Sequence, residues 1–359
     1  MANRVHGTTD TSGALSGNAS LEKYVLIVGE VSAAEQESVT TTPEKIFTIG
    51  GVSDAKSKFG SNSVVSEIVA TLLRNGCDSI KGIMIDEYGV GKTYTTKSAA
   101  ITAAREKTYA DETIRVILID STASTDVSAV TAHLTTAESY DLFRMFVTAG
   151  GNAQSLSDAQ TAAKAIDNDR TFYVYPNMVN ADGTAVGGIV TAAGVAAVIM
   201  TETKDPALPL NGVTIAGFSG VEKVLAPTDK ENCHKNCITG LYPANGTAAI
   251  YRLVTTSTGQ VFKEGTTRMI ADTVLETVEN RIRGAYKRTK NVARVLDSIK
   301  SDVITILQDF EGREIIENFD KSLVSCVKDP TDVYGALVDY TIDVVTPLYT
   351  VTITQHLVL

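Results

Sequence analysis

The stretch Tyr24-Val25-Leu26-Ile27-Val28-Gly29 is a continuously apolar run that ends at a glycine. A strand with one face in water alternates apolar and polar side chains, whereas a continuous apolar run needs cover on both faces. Strands buried on both faces are typical of parallel sheets that carry helices on either side. The run therefore predicts a strand of an α/β layered domain.

Strand and helix patterns alternate after this first strand. Apolar runs predict strands at 80–85, 115–119, 143–147 and 171–175, and Ala-rich stretches with helical spacing predict helices at 97–106, 126–138 and 156–166. Such alternation indicates a largely parallel sheet between layers of helices. We expect this α/β domain to occupy residues 21–205.

A turn-rich segment, Asp205-Pro206-Ala207-Leu208-Pro209-Leu210-Asn211-Gly212, follows an apolar helix predicted at 185–200 and marks a domain boundary. A second domain, residues 206–345, is expected after it. Its patterns predict a strand at 249–255 and then helices at 271–282, 295–307 and 315–323. The predicted fold class is therefore mixed, α/β first and α+β afterwards.

The two ends of the chain differ from its body. Residues 1–20 are rich in Gly, Ser, Thr and Asn, which predicts a polar arm. At the other end, alternating patterns predict two adjacent strands, 337–344 and 349–359. The apolar face of the last strand comprises Tyr349, Val351, Ile353, Leu357 and Leu359. An unpaired flat edge aggregates, so this strand must pair, by default within its own domain or else with a neighbouring subunit.

Composition narrows the class of protein. The 359 residues include 32 basic and 42 acidic side chains, a net charge of −10, and 43% are hydrophobic, which excludes global disorder. The 4 cysteines are too few for a disulfide framework. The acidic balance argues against nonspecific nucleic-acid binding. No signal-peptide pattern is present, and the apolar stretch at 185–200 is shorter than the roughly 20 residues that cross a bilayer, so we expect a soluble protein.

One stretch of the sequence resembles a phosphate-binding loop. Gly89-Val90-Gly91-Lys92-Thr93 follows a predicted strand, and the pattern GxxxxGK[ST] cradles phosphates with backbone N–H groups. Here Asp86 stands where the first glycine belongs, and its carboxylate would face the phosphate. A nucleotide-binding α/β enzyme is thus the alternative to a Gly-rich turn with an exposed lysine.

Other chemical motifs are weak. Cys233-His234-Lys235-Asn236-Cys237 offers two thiols and an imidazole within about one helical turn, but structural zinc commonly takes four ligands from paired clusters. Free thiols on a short helix are the plainer interpretation. The remaining histidines show no triad pattern. We therefore expect no enzyme activity, no metal and no cofactor.

A basic run interrupts the acidic chain. It comprises Arg281, Arg283, Lys287, Arg288, Lys290 and Arg294, with no acidic residue between them. One interpretation is a docking face for an acidic partner or for nucleic acid. The other is a solvated helix end, where cations also complement the helix dipole.

The order of several segments resembles that of contractile tail sheath proteins of phages and phage-tail-like bacteriocins. The C-terminal domain of that family is similar to Leu208–Gly217, then Glu231 with Ile238-Thr239-Gly240-Leu241-Tyr242, then Ala249–Thr256. Ser53–Gly60 also looks like the family's short helix ending in Phe-Gly. The segment before Leu208 lacks the usual "APAN"-like sequence, and the chain is short for a sheath protein.

The resemblance implies an assembly function. Sheath subunits stack as six-subunit rings around an inner tail tube, between baseplate and tail terminator proteins, and contraction drives the tube through a target envelope. Their terminal arms add strands to sheets of neighbouring subunits, which implies that residues 1–20 and 346–359 are such arms and reverses the default pairing of the last strand. Lys287, Arg288 and Lys290 become candidates to face the tube. The expected location is a virion or tail-like particle assembled in the bacterial host cytoplasm.

Overall fold

The computed structural model describes residues 22–31, 35, 39, 42–202 and 205–349. These residues form two compact units. The large unit holds the described residues up to 202 together with Leu210–Arg268, and the small unit holds Asp205–Pro209 and 269–349. Each unit has its own core.

The large unit is a layered α/β structure. Its strands are β1 (Tyr24–Gly29), β2 (Ile46–Thr48), β3 (Ile80–Met84), β4 (Ile114–Ile119), β5 (Met145–Ala149), β6 (Thr171–Tyr175), β7 (Met178–Val179), β8 (Thr214–Ile215), β9 (Gly220–Val221), β10 (Thr239–Ala244) and β11 (Thr247–Arg252). Its helices are α1 (Val52–Phe59), α2 (Val65–Arg74), α3 (Lys97–Glu106), α4 (Ser124–Glu138), α5 (Leu156–Ile166), α6 (Gly188–Glu202) and α7 (Pro227–Lys235).

A nine-stranded sheet organises this unit, in the order β2-β3-β1-β4-β5-β6-β10-β11-β8. The strands from β3 to β10 pair in parallel, and β2, β11 and β8 add antiparallel pairs at the two edges. The predicted α/β class is confirmed. The predicted helices at 97–106 and 156–166 and the strand at 171–175 also have the bounds seen in the structure.

The central strand β1 is covered on both faces. Leu26 and Val28 pack in one cluster with α3 and α4. Side chains alternate along a strand, so Val25 and Ile27 point to the opposite face, and all four are fully buried. Helix α6 packs on the sheet against β4, β5 and β6, and it also contacts α2. This two-sided cover is the reason that the strand contains no polar residue.

Residues 210–268 complete the large sheet. Thr239 and Gly240 of β10 pair in parallel with Val174 and Tyr175 of β6. The compact units therefore divide the chain differently from the predicted domain limit at 205/206. A turn signal in the sequence predicts where a helix or strand ends, but the pairing of strands determines the compact unit to which they belong.

The small unit contains the last two long helices. Helix α8 (Gly265–Ala285) enters it at Met269, and α9 (Ala293–Gly312) follows. Short strands then form two-stranded antiparallel sheets: β12 (Ile316–Glu317) with β15 (Asp343–Val344), and β13 (Ser325–Lys328) with β14 (Ala336–Asp339). Val274, Val303 and Phe310 lie in the core between the helices and these strands.

The prediction of a third C-terminal helix at 315–323 is wrong. The structure has β12 there, followed by a short 3-10 turn at Lys321–Leu323. Glu314 and Asn318 have φ angles of 58° and 53°, which end helical geometry on either side of β12. By contrast, the inward-facing positions predicted for 337–344 are confirmed, since Val338, Tyr340, Ile342 and Val344 all pack on the small-unit core. The segment is not the single strand predicted, because β14 pairs with β13 and β15 pairs with β12.

Among the described residues, no helix is both long enough and apolar enough to cross a bilayer.

Candidate functional site

The basic residues 287, 288 and 290 lie in the connection between α8 and α9. The sequence patterns left them between the helices predicted at 271–282 and 295–307, and in the structure α8 ends at Ala285 and a turn follows. Lys287, Arg288 and Lys290 are all exposed in this turn. We call residues 286–292 the basic turn.

The preceding helix and α9 hold the basic turn in place. The Tyr286 hydroxyl donates to Asp302 Oδ2 at 2.9 Å, and Arg281 Nε donates to the same oxygen at 3.0 Å. The Thr289 hydroxyl donates to the Tyr286 carbonyl at 2.9 Å. Burial and the Asp302 carboxylate raise the pKa of Tyr286 to about 12. The phenol therefore keeps its proton and remains a donor at neutral pH.

The basic run divides into neutralised and uncompensated cations. Arg281 pairs with Asp302, and Arg283 pairs with Glu279 at 3.3 Å. No ion pair joins Lys287, Arg288, Lys290 or Arg294 to a carboxylate of the described residues. Lys287 and Arg288 follow the C-terminus of α8, where the helix dipole favours cations, but Arg294 lies in the first turn of α9, where it does not. Helix-end stabilisation alone thus explains only part of the run.

A second exposed loop contacts the basic turn. The β13–β14 hairpin closes through residues 329–335, and Asn291 Nδ2 donates to the Gly335 carbonyl at 2.9 Å and to the Val333 carbonyl at 3.4 Å. Val333 and Tyr334 at this tip are each 85% exposed. This contact could not be predicted from the sequence, because Asn291 and Gly335 are far apart along the chain and carry no shared motif.

The two short sheets have open edges within the described residues. Each consists of two strands only, so one side of every strand lacks a backbone partner in its sheet. The chain leaves β15 toward the C-terminus, where Leu348 is 74% exposed. Of the predicted terminal strand, Tyr349 is described and half-buried, outside any strand. Val351, Ile353, Leu357 and Leu359 lie outside the described residues.

The loop Gly89–Thr93 differs from a phosphate-binding loop. Helix α3 begins only at Lys97, so the loop does not lead directly into a helix N-terminus. The Gly89 N–H donates inward to the Tyr94 carbonyl at 2.8 Å. Lys92 Nζ lies 2.5 Å from Glu87 Oε2. Because the lysine and a backbone donor are both engaged within the loop, the structure favours the interpretation as a Gly-rich turn.

The side chains of Cys233, His234 and Cys237 do not point toward a common site. Cys233 is fully buried in α7, and burial raises the pKa of its thiol to about 12. Cys237 lies beyond the helix end with a φ of 66°, and its Sγ donates to the Ser257 carbonyl at 3.1 Å. His234 Nε2 points to Glu264 Oε1 at 2.9 Å. Within the described part of the chain, no three His, Cys, Asp or Glu residues are grouped to hold a metal ion.

A cluster of charged side chains lies at the carboxyl edge of the parallel sheet, beside β1. Lys97 Nζ lies 2.9 Å from Asp120 Oδ1 and 3.0 Å from Glu30 Oε1. The Glu30 N–H donates to Asp120 Oδ2 at 2.6 Å. Burial raises the pKa of Asp120, and the Lys97 ammonium opposes that effect. Doubly wound sheets often bind ligands at this edge, but here the chain's own charges pair with one another.

Solved structures with the same fold were found across nearly the whole chain. The contracted helical sheath of the anti-feeding prophage, determined by cryo-EM, has a TM-score of 0.73 and 14% identity, with 99% of each chain covered. The contracted PVC sheath complex of an extracellular contractile injection system has a TM-score of 0.70 and 10% identity over 93% of this chain and 91% of that one. The crystal structure of a sheath tail protein from Desulfitobacterium hafniense has a TM-score of 0.66 and 12% identity over 94% and 100%.

These structural similarities establish the fold, because each extends over more than 90% of both chains. Three-dimensional similarity persists here although the sequence identities, 10–14%, are too low for sequence comparison to detect it. No protein-family model matches the sequence, and no curated protein matches it either. The chain has the fold of contractile tail sheath proteins.

Proposed function

We propose that this protein is the structural subunit of a contractile tail sheath. In this role it polymerises around an inner tube as a helical stack of six-subunit rings and contracts to drive the tube through a target cell envelope. The observation that carries the proposal is the likeness, over 99% of both chains, to the contracted sheath of the anti-feeding prophage. A shared domain alone would leave the rest of the chain unexplained.

The basic turn supports a contact with the inner tube. Its exposed cations have no carboxylate partner among the described residues, although the chain as a whole has a net charge of −10. Exposed charges attract through water, so each pair contributes only about 0–1 kcal/mol and is screened by salt. A weak and repeated contact of this kind suits a sheath that must release the tube on contraction.

The open-edged sheets of the small unit support strand exchange. An added strand gains main-chain hydrogen bonds without a new side-chain core, so subunits remain linked while their rigid units move. We infer that residues 346–359 and 1–20 serve as the linking arms, and that an edge of β12–β15 or β13–β14 receives an arm from a neighbour. Baseplate and tail terminator proteins would contact the two ends of such a stack.

An enzymatic role is not part of the proposal. The energy of contraction would come from contacts between subunits, so no nucleotide or cofactor is needed. The particle would be a phage virion or a headless tail-like particle, assembled in the cytoplasm of the bacterial host.

The decisive experiment is electron microscopy of the protein co-expressed with its inner tube protein. We expect tubular polymers with six-fold rings wherever the tube is present. Monomers alone, in the presence of intact tube, would contradict the proposal. Saturable ATP binding that is lost in Lys92→Ala would instead favour the nucleotide-binding alternative.

A further inference from the structure

We propose that Lys97 and Asp120 become joined by an isopeptide bond, which forms spontaneously in the folded chain with Glu30 as the proton carrier. In this reaction the Lys97 amine and the Asp120 carboxyl condense to an amide and release one water. The reaction needs no cofactor and no second protein. It takes place within a single subunit, before or after assembly.

The fold brings the three side chains together at the carboxyl edge of the large sheet. Strands β1 and β4 pair in parallel, with Val28 opposite Ile119, so they end side by side. Glu30 follows the end of β1, and Asp120 follows the end of β4. Lys97 is the first residue of α3, which packs against β1. Residues that are distant in sequence therefore meet at one point.

The Lys97 amine and the Asp120 carboxyl are held at reaction distance. Lys97 Nζ lies 2.9 Å from Asp120 Oδ1, in a contact that lacks the angles of a hydrogen bond, and no other described residue donates to this oxygen. Asp120 Oδ2 accepts from the Glu30 N–H at 2.6 Å, which fixes the orientation of the carboxyl group. Reacting groups that are held about 3–3.5 Å apart in one orientation reach effective molarities of about 10⁵–10⁸ M.

The reacting atoms are largely removed from water. The Asp120 side chain is 3% exposed and that of Lys97 is 17% exposed. Ile119, next to Asp120, and Ile101, one helical turn after Lys97, belong to the apolar core cluster below the site. Burial penalises two separated charges, so it favours the form of the pair in which both groups are neutral.

The neutral pair arises by proton transfer inside the site. Burial lowers the pKa of Lys97, but the carboxylates of Asp120 and Glu30 outweigh it and the net shift is upward, so solvent does not take the proton. Burial raises the pKa of Asp120, which makes this carboxylate the better acceptor. The dipole of α3 also disfavours a cation at its first residue. Transfer from Lys97 to Asp120 gives an amine beside a neutral carboxylic acid, which is the reactive combination.

Glu30 is placed to carry the proton that the reaction moves. Its Oε1 lies 3.0 Å from Lys97 Nζ, and its Oε2 accepts from the Tyr88 hydroxyl at 2.7 Å. Burial and the hydrogen bond to Glu30 raise the pKa of Tyr88 to about 12, so the phenol remains a donor. The Glu30 carboxylate is thus oriented with one oxygen toward the nucleophile and is free of a proton at neutral pH.

The bonds and protons of the reaction balance. Lys97 Nζ adds to Asp120 Cγ, and Glu30 accepts the proton that the nitrogen loses and returns it to the departing hydroxyl. The Nζ–Cγ bond forms, the Cγ–O bond breaks and one water leaves, while no group is oxidised or reduced. The Glu30 side chain is 38% exposed, which opens a way out for the water. The product ties the start of α3 to the end of β4 covalently.

A second lysine–aspartate pair of the same unit is an internal control. Lys81 Nζ lies 2.6 Å from Asp111 Oδ2. Asp111 Oδ1 accepts from the Thr113 N–H at 3.1 Å and from the Thr113 hydroxyl at 2.5 Å. Burial alone would raise the pKa of Asp111, but these hydrogen bonds and Lys81 lower it overall. Because this carboxylate is kept ionised, we expect the pair to remain ionic.

Mass spectrometry of the full-length protein, unfolded after purification, tests the proposal. The mass should be lower by one water than the sequence requires. After trypsin digestion, Lys97 should resist cleavage and the peptide 93–105 should be joined to the peptide 116–144. Cleavage after Lys81 should proceed, because that lysine stays unmodified.

Two variants and a matched control assign the roles. Lys97→Arg keeps the cation but cannot form the amide, so it should show the full mass. Glu30→Gln keeps the shape of the side chain but removes the proton acceptor, and should slow formation of the bond about 100-fold. Glu87→Gln is the control, because the Glu87 carboxylate pairs with the exposed Lys92 and should leave the bond unaffected.

The results separate this proposal from the sheath function. Full mass in the unmodified protein, with cleavage after Lys97, would show that the pair stays ionic and would overturn the proposal. A bond that forms equally fast in Glu30→Gln, while that variant unfolds cooperatively, would overturn the role of Glu30. Assembly of sheath is measured separately by electron microscopy, so either result leaves the proposed function standing.

Discussion

The Glu264 carboxylate joins residues that are distant in sequence at the start of α8. His234 Nε2 and Arg252 Nη2 lie 2.9 and 2.7 Å from Glu264 Oε1, and Arg252 Nε lies 3.2 Å from Oε2. Burial raises the pKa of this carboxyl, but the hydrogen bonds from His234 and Arg252 outweigh it and the net shift is downward. The bidentate arginine makes this one of the stronger ion pairs of the large unit.

We expect Glu264→Gln to destabilise the protein by about 1–2 kcal/mol at pH 7, because a charged hydrogen-bond acceptor is lost from a partly buried site. A carboxyl whose pKa is lowered by folding stabilises the folded state above its unfolded value of about 4.3. That contribution is lost as the pH falls through the lower folded pKa. The difference between variant and unmodified protein in urea unfolding should therefore shrink below pH ~4.

Glu231→Gln is the matched control, since Glu231 accepts one hydrogen bond, from the exposed Tyr251 hydroxyl, at 2.9 Å. Its effect on unfolding should be small at every pH. A Glu264→Gln penalty that stayed constant down to acid pH would show that shape, and not charge, accounts for the loss.

Residue spacing alone could not assign the Cys233–Cys237 segment. The sequence correctly placed the first thiol on a short helix, but it could not show that Cys237 lies past the helix end, pointing to Ser257. We expect Cys233→Ala with Cys237→Ala to assemble, and chelator treatment to leave polymers intact. Alanine is preferable to serine here, because Cys233 is fully buried and a hydroxyl would lack a partner. Assembly that zinc specifically restored would contradict this prediction.

At the scale of elements, the basic turn illustrates what charge patterns predict. The run of cations was visible in the sequence, whereas its division was not, since Arg281 and Arg283 are neutralised by Asp302 and Glu279. The turn itself depends on Tyr286 and Asn291, whose partners lie on other elements. Local periodicity finds helices, but it does not report which charges remain free after folding.

Reversing the charge of Lys287, Arg288 and Lys290 to glutamate should leave the small unit folded, because all three side chains are exposed. Exposed pairs contribute about 0–1 kcal/mol each, so the monomer's thermal unfolding should change little. Tube-directed assembly at low salt should fall sharply, as measured by the fraction of tube covered in electron micrographs. The proposal fails if coverage at low salt is unchanged. Reversal of Arg281, which is paired internally with Asp302, should instead reduce monomer stability.

The segment 315–323 marks the limit of element prediction. Its apolar spacing fitted a helix, yet Ile316 and Glu317 pair with Val344 and Asp343. A strand partner that is distant in sequence overrode the local preference, as tertiary context commonly does. Where both partners were strongly apolar and buried, as for β1, the sequence predicted the strand correctly.

At the scale of the whole molecule, the sequence predicted the layered sheet but not its extent. Alternating strands and helices gave the parallel core from β1 to β6 because each element carries its own periodicity. The addition of β10, β11 and β8 depends on one parallel pairing, Thr239 with Val174 and Gly240 with Tyr175. Nothing in the local sequence of either strand specifies that partner.

The terminal segment 348–359 should matter for assembly and not for folding of the subunit. The described residues of the small unit form a core of their own, in which Val274, Val303 and Phe310 are all buried. Leu348, at the start of the segment, is 74% exposed. We therefore expect a variant lacking 348–359 to be folded and soluble, with cooperative thermal unfolding, but unable to form stable sheath.

The physical reason is that the apolar face of the arm would be buried in a neighbouring subunit and not in its own. Tyr349, Val351, Ile353, Leu357 and Leu359 form one apolar face in the sequence pattern, and its burial at ~25 cal/mol per Å² could contribute several kcal/mol per arm. In a neighbour's sheet, that free energy stabilises the lattice and not the monomer. Val351→Pro should reproduce the deletion, since proline removes a ladder donor, whereas Thr352→Ala on the opposite face should assemble normally. Loss of cooperative unfolding in the truncated monomer would show that the strand belongs to its own core, and intact tubes from it would show that the arm is not the link.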